Sequence, residues 1–248
     1  MKKRLDLLVQ EQFNQYSRQQ IQSWIMQGRV LVDGIVITKV GTKVSSESQI
    51  ILNVQEDRFV SRAGFKLEKA LDFFGINVTD LVALDAGIST GGFTDCLLQR
   101  GIRHVFGVDV GYGQVHEKIK QDARLTLLER TNLRHLPSLG QLVDLVTLDL
   151  SFISVLKVMQ TIITILKPNG MLLILIKPQF EAEKHLVGKG GIIKDEKIHQ
   201  QVITRVITGV ESFGFKSLGW IESPLLGGSG NKEFLAYFKR ALGNKVAD

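Results

Sequence analysis

This 248-residue sequence predicts an α/β fold built on a Rossmann-like, mostly parallel seven-stranded sheet, with a small α+β domain in front of it. Three observations lead there. From residue 61 onward, short apolar runs alternate with segments of helical periodicity, the pattern of a parallel sheet covered by helices on both faces. A glycine-rich turn, Gly87-Ile-Ser-Thr-Gly-Gly92, joins the first of these runs to a helix. Composition also changes near residue 60, where a polar stretch separates a short basic unit from the longer alternating part.

The elements follow in order. Leu5, Leu8 and Val9 share one helical face, and Ser17 caps a second helix, Arg18–Gln27, with Ile21, Trp24 and Ile25 on one side. Gly28 stops that helix. Strand-like pieces come next: Arg29–Val32, a hairpin turn at Asp33-Gly34, Ile35–Ile37 and Gln49–Leu52. Residues 53–60 read as a linker, dividing the chain into domains 1–60 and 61–248. A helix from Ser61 to Phe74 opens the larger domain. Seven strands are expected at Leu81–Asp85, Val105–Asp109, Leu125–Glu129, Leu142–Asp149, Met171–Lys177, Phe215–Glu222 and Glu233–Arg240. Helices are expected from about Gly92, near Gln114–Lys120, over Ser154–Leu166 and over Glu196–Phe213. A short glycine-rich loop joins the last two strands, which predicts a hairpin and hence one antiparallel edge strand.

Composition narrows the function classes. Hydrophobic residues make up 44% of the chain, enough for a real core. The net charge of +6 favours a polyanionic partner, the alternative being a solvated basic surface. Cys96 is the only cysteine, which rules out an intrachain disulfide and suits the cytoplasm. His104, His116, His135, His185 and His199 lack metal-ligand spacing, so no metal is expected. The start, Met1-Lys-Lys-Arg4, resembles that of a signal peptide, but Gln10, Glu11, Gln12 and Asn14 interrupt any apolar core. The most apolar segment, Met171–Ile176, is far shorter than the ~20 residues that span a bilayer, so no membrane role is expected.

The turn after the first long strand is the candidate cofactor site: Asp85, Gly87, Ser89, Thr90, Gly91 and Gly92, with Asp109 at the end of the next strand. Glycines let a ligand approach the backbone, and ligands of open α/β sheets lie at the carboxyl ends of strands. An acid at Asp109 can accept hydrogen bonds from both ribose hydroxyls of an adenosine. The turn has neither the G-x-G-x-x-G of dinucleotide enzymes nor the lysine of a phosphate-binding loop. Two acids without that lysine suit a cationic ligand carrying no phosphate, and S-adenosylmethionine fits; the alternative is a tight strand-to-helix turn with no ligand.

Four polar residues stand where packing alone would not place them: Lys66 in the helix before the first long strand, Asp149 and Lys177 at strand ends, and Glu233 opening the last strand. Two amines and two carboxylates at a sulfonium pocket suit displacement of a methyl group by a ribose 2′-hydroxyl, with Lys177 either removing the proton or orienting the oxygen. The alternative is that the lysines snorkel and the acids cap neighbouring elements.

At these motifs the sequence resembles the TlyA family, also labelled hemolysin A, over nearly its whole length. Arg4-Leu-Asp6, Ser17-Arg18 and Gly28-Arg-Val-Leu-Val-Asp-Gly34 match an RNA-binding domain like that of ribosomal protein S-four. Ser61-Arg-Ala-Gly-Phe-Lys-Leu67, Ser89-Thr-Gly-Gly-Phe-Thr-Asp95, Asp109-Val-Gly-Tyr-Gly113, Glu129-Arg-Thr-Asn132, Asp149-Leu-Ser-Phe-Ile-Ser154, Lys177-Pro-Gln-Phe-Glu181 and Gly230-Asn-Lys-Glu233 match an FtsJ-like methyltransferase. The resemblance implies a catalytic tetrad of Lys66, Asp149, Lys177 and Glu233, S-adenosylmethionine as cofactor with Asn132 near its adenine, and a cytidine 2′-hydroxyl of ribosomal RNA as substrate. Ile88 replaces the family's usual alanine, and Leu226-Gly-Gly-Ser-Gly230 varies its last loop. Arg4, Arg18, Arg29, Lys39 and Lys43 are the candidate RNA contacts, against the alternative of a protein-interaction module. The rival functions are a membrane-active hemolysin, as the family label suggests, and a non-catalytic RNA-binding factor in ribosome assembly.

Overall fold

The computed structural model describes residues 2–53, 58–136 and 138–241. The chain falls into two compact units, Met1–Arg58 and Phe59–Asp248.

The first unit runs β1 (Lys2–Arg4), α1 (Leu5–Gln12), α2 (Arg18–Met26), β2 (Val30–Val32), β3 (Ile35–Val36), β4 (Lys43–Ser45) and β5 (Ile50–Leu52). Leu5, Leu8 and Val9 of α1 and Ile21 and Ile25 of α2 bury their apolar stripes against Val30, Val32, Val44 and Ile50. Ser17 starts α2 with a reciprocal cap: its Oγ accepts the Gln20 N–H at 3.3 Å, and the Gln20 side chain accepts the Ser17 N–H at 2.9 Å. Asp33 and Gly34 both take positive φ, 51° and 80°, as a tight hairpin turn requires. One sheet has the order β3-β2-β5. A second pairs β1 with β4, two short charged strands whose sequences carry no apolar alternation to announce them.

The second unit runs α3 (Ala63–Phe73), β6 (Val82–Ala86), α4 (Gly92–Gln99), β7 (His104–Val108), α5 (Glu117–Lys120), β8 (Leu125–Leu128), β9 (Val143–Leu148), α6 (Met159–Ile165), β10 (Leu166–Ile176), α7 (Pro178–Glu181), α8 (Glu196–Glu211), β11 (Phe215–Glu222) and β12 (Phe234–Arg240). A 3-10 turn, Val155–Val158, leads into α6. The seven strands lie in the order β11-β12-β10-β9-β6-β7-β8. Alternate residues of each apolar run serve opposite layers. Val82, Leu84, Leu172 and Ile174 join the core under α6 and α8, while Ala83, Leu173 and Leu175 join the core under α3 and α4.

Two expectations change. The antiparallel strand is not at the edge: β12 runs antiparallel to β10 on one side and β11 on the other, so the edge strand β11 is parallel to the main set. Burial explains the order. Phe234–Phe238 of β12 is buried throughout and takes the inner place, whereas only Phe215 of β11 is fully buried. In the stretch read as a linker, 54–57 lie outside the described residues, but Phe59 is core. It packs edge-on against Phe65 at 5.0 Å, and the neighbouring Val60 N–H donates to Asp95 Oδ2 at 2.7 Å. The division between units therefore precedes Phe59, because an apolar side chain at that point gains more from burial than from solvent.

Candidate active site

The turn after β6 is built on Asp85, and Asp85 faces inward. It is fully buried, with Oδ2 accepting from the Thr94 hydroxyl at 2.7 Å and Oδ1 from the Thr147 hydroxyl at 2.8 Å. Burial, helped by the nearby Asp149 charge, raises its pKa to about 6 against those two hydrogen bonds. Beyond it the chain turns sharply. The N–H groups of Gly87 and Ile88 both reach the Val108 carbonyl, at 2.8 and 3.2 Å. Gly87 has φ 84°, and a Cβ built there would overlap the carbonyl oxygen of Asp149, so this position has to be glycine. The turn thereby touches the end of β9.

A cavity of about 510 Å³ opens at these strand ends, within the range of small-ligand sites. Gly87, Ser89, Asp109 and Asn132 line it, as do Asp149 and Ser151. Asp109 already accepts the Ser89 N–H at 2.8 Å and the Gly111 N–H at 2.7 Å, which fixes its carboxylate at the wall. Asn132 Oδ1 accepts the Arg134 N–H at 3.0 Å. Four residues grouped with these by sequence lie outside the lining. Asp85 sits beneath the turn. Thr90 offers its carbonyl to the His116 N–H, Gly91 packs against Ile119 of α5, and Gly92 packs against Ser61 and α3. Among the described residues lining the cavity none is basic, and two are aspartates.

The four reactive candidates form two amine–carboxylate pairs. Lys66 from α3 donates to Glu233 Oε2 at 2.5 Å, and both side chains are nearly buried. Lys177 stands 2.6 Å from Asp149 Oδ1 and donates to Ser151 Oγ at 3.0 Å. The Lys177–Asp149 contact is an ion pair by distance, but its direction is poor for a hydrogen bond, so Asp149 Oδ1 retains unmet acceptor capacity. Antiparallel register places Ile176 opposite Phe234, which brings the next residues, Lys177 and Glu233, to the same end of the sheet. Of the four, Asp149 lines the cavity, Lys177 reaches it through Asp149 and Ser151, and Lys66 of α3 is paired with Glu233 just before β12.

Two residues here carry no sequence prediction. Ser151 touches the Lys177 amine and lines the cavity. Phe152 is 90% exposed at φ 65°, a costly backbone for an aromatic residue, with its ring 5.0 Å from Phe180. The available signal is an aromatic residue in a strand-end loop, between Ser151 and Ile153 and just after Asp149.

In the first unit, Arg4 and Arg18 converge on Asp6. Both guanidinium groups donate to its buried carboxylate, Arg4 at 3.0 Å and Arg18 at 2.8 Å, and Gln22 adds a third donor at 3.0 Å. Burial would push the Asp6 carboxyl up, but the hydrogen bonds from Arg4, Arg18 and Gln22 and the Arg4 charge hold it far below the usual carboxylate range. Lys43 lies opposite Arg4 in the β1–β4 pair. Arg29 and Lys39 are exposed, Arg29 just before β2 and Lys39 in the loop before β4.

A parallel sheet with one inserted antiparallel strand, a glycine turn after its first strand and a cavity at that turn define a Rossmann-like methyltransferase. The FtsJ-like methyltransferase family matches residues 59–240, and the S4 domain matches residues 3–50. The 16S/23S rRNA (cytidine-2′-O)-methyltransferase TlyA of Mycobacterium tuberculosis is 40% identical over 92% of this chain and 88% of its own length. Hemolysin A of Brachyspira hyodysenteriae is 39% identical over 95% of this chain and 99% of its own. A solved structure of a hemolysin-named protein from Streptococcus thermophilus aligns with a TM-score of 0.75 at 36% identity, covering 99% of this chain and 91% of that one. The chain belongs to the TlyA, or hemolysin A, family of FtsJ-like methyltransferases. Among the described residues no helix is long and apolar enough to cross a membrane, and no cluster of histidine, cysteine and acidic residues is arranged to hold a metal.

Proposed function

We propose that this protein transfers a methyl group from S-adenosylmethionine to the 2′-hydroxyl of a cytidine in ribosomal RNA, in the cytoplasm where ribosomes are made. The carrying observation is the Lys177 amine, 2.6 Å from Asp149, at the end of a cavity that Asp149 and Ser151 line. The cavity suits the cofactor: its described lining residues include two aspartates and no lysine or arginine, which disfavours phosphate and favours a sulfonium. Gly87 lets the turn close onto the Asp149 carbonyl at the cavity wall, Asp109 can accept the two ribose hydroxyls, and Asn132 stands where an adenine edge can be read. When bound, the cofactor supplies an electrophilic methyl group.

The protein's part is alignment. Ser151 and Asp149 fix the direction of the Lys177 amine, which holds the attacking 2′-oxygen. The hydroxyl proton has an exit toward the Lys177–Asp149 pair. Lys66 and Glu233, a nearly buried pair, are the other two members assigned to the centre. Phe152 presents an exposed ring on which a nucleobase can stack. The Arg4–Asp6–Arg18 cluster with Lys43 offers phosphate contacts, with Arg29 and Lys39 as outlying ones. The name of the Mycobacterium tuberculosis relative supports the RNA and the cytidine.

Tritiated-methyl transfer to ribosomal subunits, paired with calorimetry of S-adenosylmethionine binding, tests this reading. Lys177→Ala should lower transfer by about 10²-fold or more while cofactor affinity stays within about threefold. Asp109→Ala should weaken cofactor binding instead. Wild-type protein that labels no ribosomal RNA, or Lys177→Ala protein that transfers normally, would sink it.

A further inference from the structure

Glu181 is a buried carboxylate with no part in the chemistry above, yet it ties together the two loops that carry that chemistry. It is only 5% exposed. One oxygen accepts from the Ser154 hydroxyl at 2.6 Å and the other accepts the Val155 N–H at 2.7 Å. Both donors belong to the segment after β9, which holds Asp149, Ser151 and Phe152. Glu181 itself ends α7, the single turn that begins immediately after Lys177 with Pro178. Within that turn the Phe180 N–H returns to the Lys177 carbonyl at 2.9 Å and the Ala182 N–H to Pro178 at 2.8 Å, so Lys177 and Glu181 move as one piece. From the far side, Arg205 of α8 donates to the Glu181 carbonyl at 3.2 Å and anchors the same turn.

We propose that Glu181 is a positioning residue for methyl transfer: its carboxylate latches the Lys177 turn to the Asp149–Ser154 loop and so sets the Lys177–Asp149–Ser151 geometry. The proposal rests on the methyl-transfer reading of that centre. Lys177 and Asp149 sit on different loops, and a displacement of about 1 Å between them is enough to cost a large factor in rate. The described ties between the loops, apart from the reacting pair and the Lys177–Ser151 bond, are the exposed Phe152–Phe180 ring contact and the buried Glu181 latch. The ring contact is broad and tolerant of sliding. The latch uses two directional bonds to one planar group, which fixes distance and orientation together. Burial pushes the Glu181 carboxyl up, against the pull of its two bonds and of Arg205. A carboxylate is a costly choice for merely filling that space.

The test uses the full-length protein, ribosomal subunits and S-adenosylmethionine. Glu181→Ala should lower kcat about 30-fold, with KM for the subunits and cofactor affinity by calorimetry each within about threefold of wild type. Glu181→Gln should recover kcat to within about fivefold, because its amide oxygen can still accept the Val155 N–H while its NH2 donates to Ser154 Oγ. Ser154→Ala, which removes half of the latch together with the Ser154 cap on the Leu156 N–H, should fall between, with its melting temperature measured alongside. A purely structural role predicts parallel loss of melting temperature, cofactor affinity and kcat, with no recovery by glutamine. That pattern, or unchanged kcat in both Glu181→Ala and Ser154→Ala, would overturn the inference. Wild-type protein without ribosomal RNA methylation would overturn the underlying reading instead, so the two failures are distinguishable.

Discussion

Asp85 and Asp109 are the same residue type at the ends of neighbouring strands, and their surroundings give them opposite tasks. Asp109 keeps its carboxylate at the cavity wall, held by two backbone N–H groups. Asp85 is enclosed between two threonine hydroxyls, and its pKa rises from 3.8 to about 6. A carboxyl raised in the folded state holds a proton that the unfolded chain has already released between those two values. Its stabilising effect is therefore complete below about pH 4 and is lost as pH rises through about 6. Over that interval the folded state loses ~1.4 kcal/mol per pH unit, so the charge costs at most about 3 kcal/mol. Asparagine fits the same space without the charge: Thr94 can still donate to the amide oxygen, and Thr147 can turn its hydroxyl to the Leu84 carbonyl, 3.5 Å away, while accepting from the amide. Asp85→Asn should thus match wild type in urea unfolding at pH 4 and equal or exceed it at pH 8, by up to ~3 kcal/mol. A variant less stable than wild type at pH 8 would show that the aspartate charge, and not burial of the site, organises the turn. Glu181 makes the same point about environment, since nothing about a glutamate four residues after Lys177 distinguishes a latch from a surface charge until its two donors are placed.

Among elements, local chemistry was readable and non-local pairing was not. The Ser17 cap, the Asp33-Gly34 turn and the Gly87–Gly92 turn each depend on a few adjacent residues, so the sequence carries their signature directly. The placement of β12 inside β11 depends on a comparison between two strands: a continuous apolar run competes better for the interior than an alternating one. The β1–β4 pair was hidden because Lys2-Lys-Arg4 has the composition of a solvated tail, and only its partner makes it a strand. Three of the catalytic candidates are legible as residue types at strand ends and Lys66 as a lysine in a helix; the pairing of Lys177 with Asp149 follows from the sheet order, and that of Lys66 with Glu233 from the packing of α3. Asp6 belongs to the same class of non-local fact. It joins α1 to α2 by accepting from Arg18 and Gln22, and to β1 through Arg4. Its depressed pKa means that this contribution is complete above about pH 4 and fades as acid approaches the lowered native value. Since both arginines are about half exposed, solvent screens part of the attraction. Asp6→Ala should destabilise the first unit by about 2 kcal/mol, read as lost hydrogen-exchange protection in α1 and α2. Unchanged protection there would mean that the apolar stripes alone hold the two helices together.

At the scale of the molecule, there are two units with separate cores, and the proposed function assigns RNA holding to the first and methyl transfer to the second. The core of the first is built from Leu5, Val9, Ile21 and Ile25, and those of the second lie on the two faces of the seven-stranded sheet. A net charge of +6 gives the whole protein a general attraction to RNA, but a general field cannot fix register. Arg4 and Arg18 can do more, because Asp6 holds both guanidinium groups in one orientation, with Lys43 beside Arg4. Preorganised cations lose less side-chain entropy on meeting phosphate than free ones do. Each phosphate contact releases a counterion, contributing about 0.7–0.9 to the slope of log affinity against log salt. Replacing Arg4, Arg18 and Lys43 together by glutamine should therefore reduce that slope by about 2 to 3 and raise KM for ribosomal subunits. Calorimetric affinity for S-adenosylmethionine should stay within about twofold, since the cavity belongs wholly to the second unit. If the salt slope is unchanged while KM rises, these residues act through shape and not through phosphate. If cofactor affinity falls with them, the two units do not act independently, and the division of labour proposed for them is wrong.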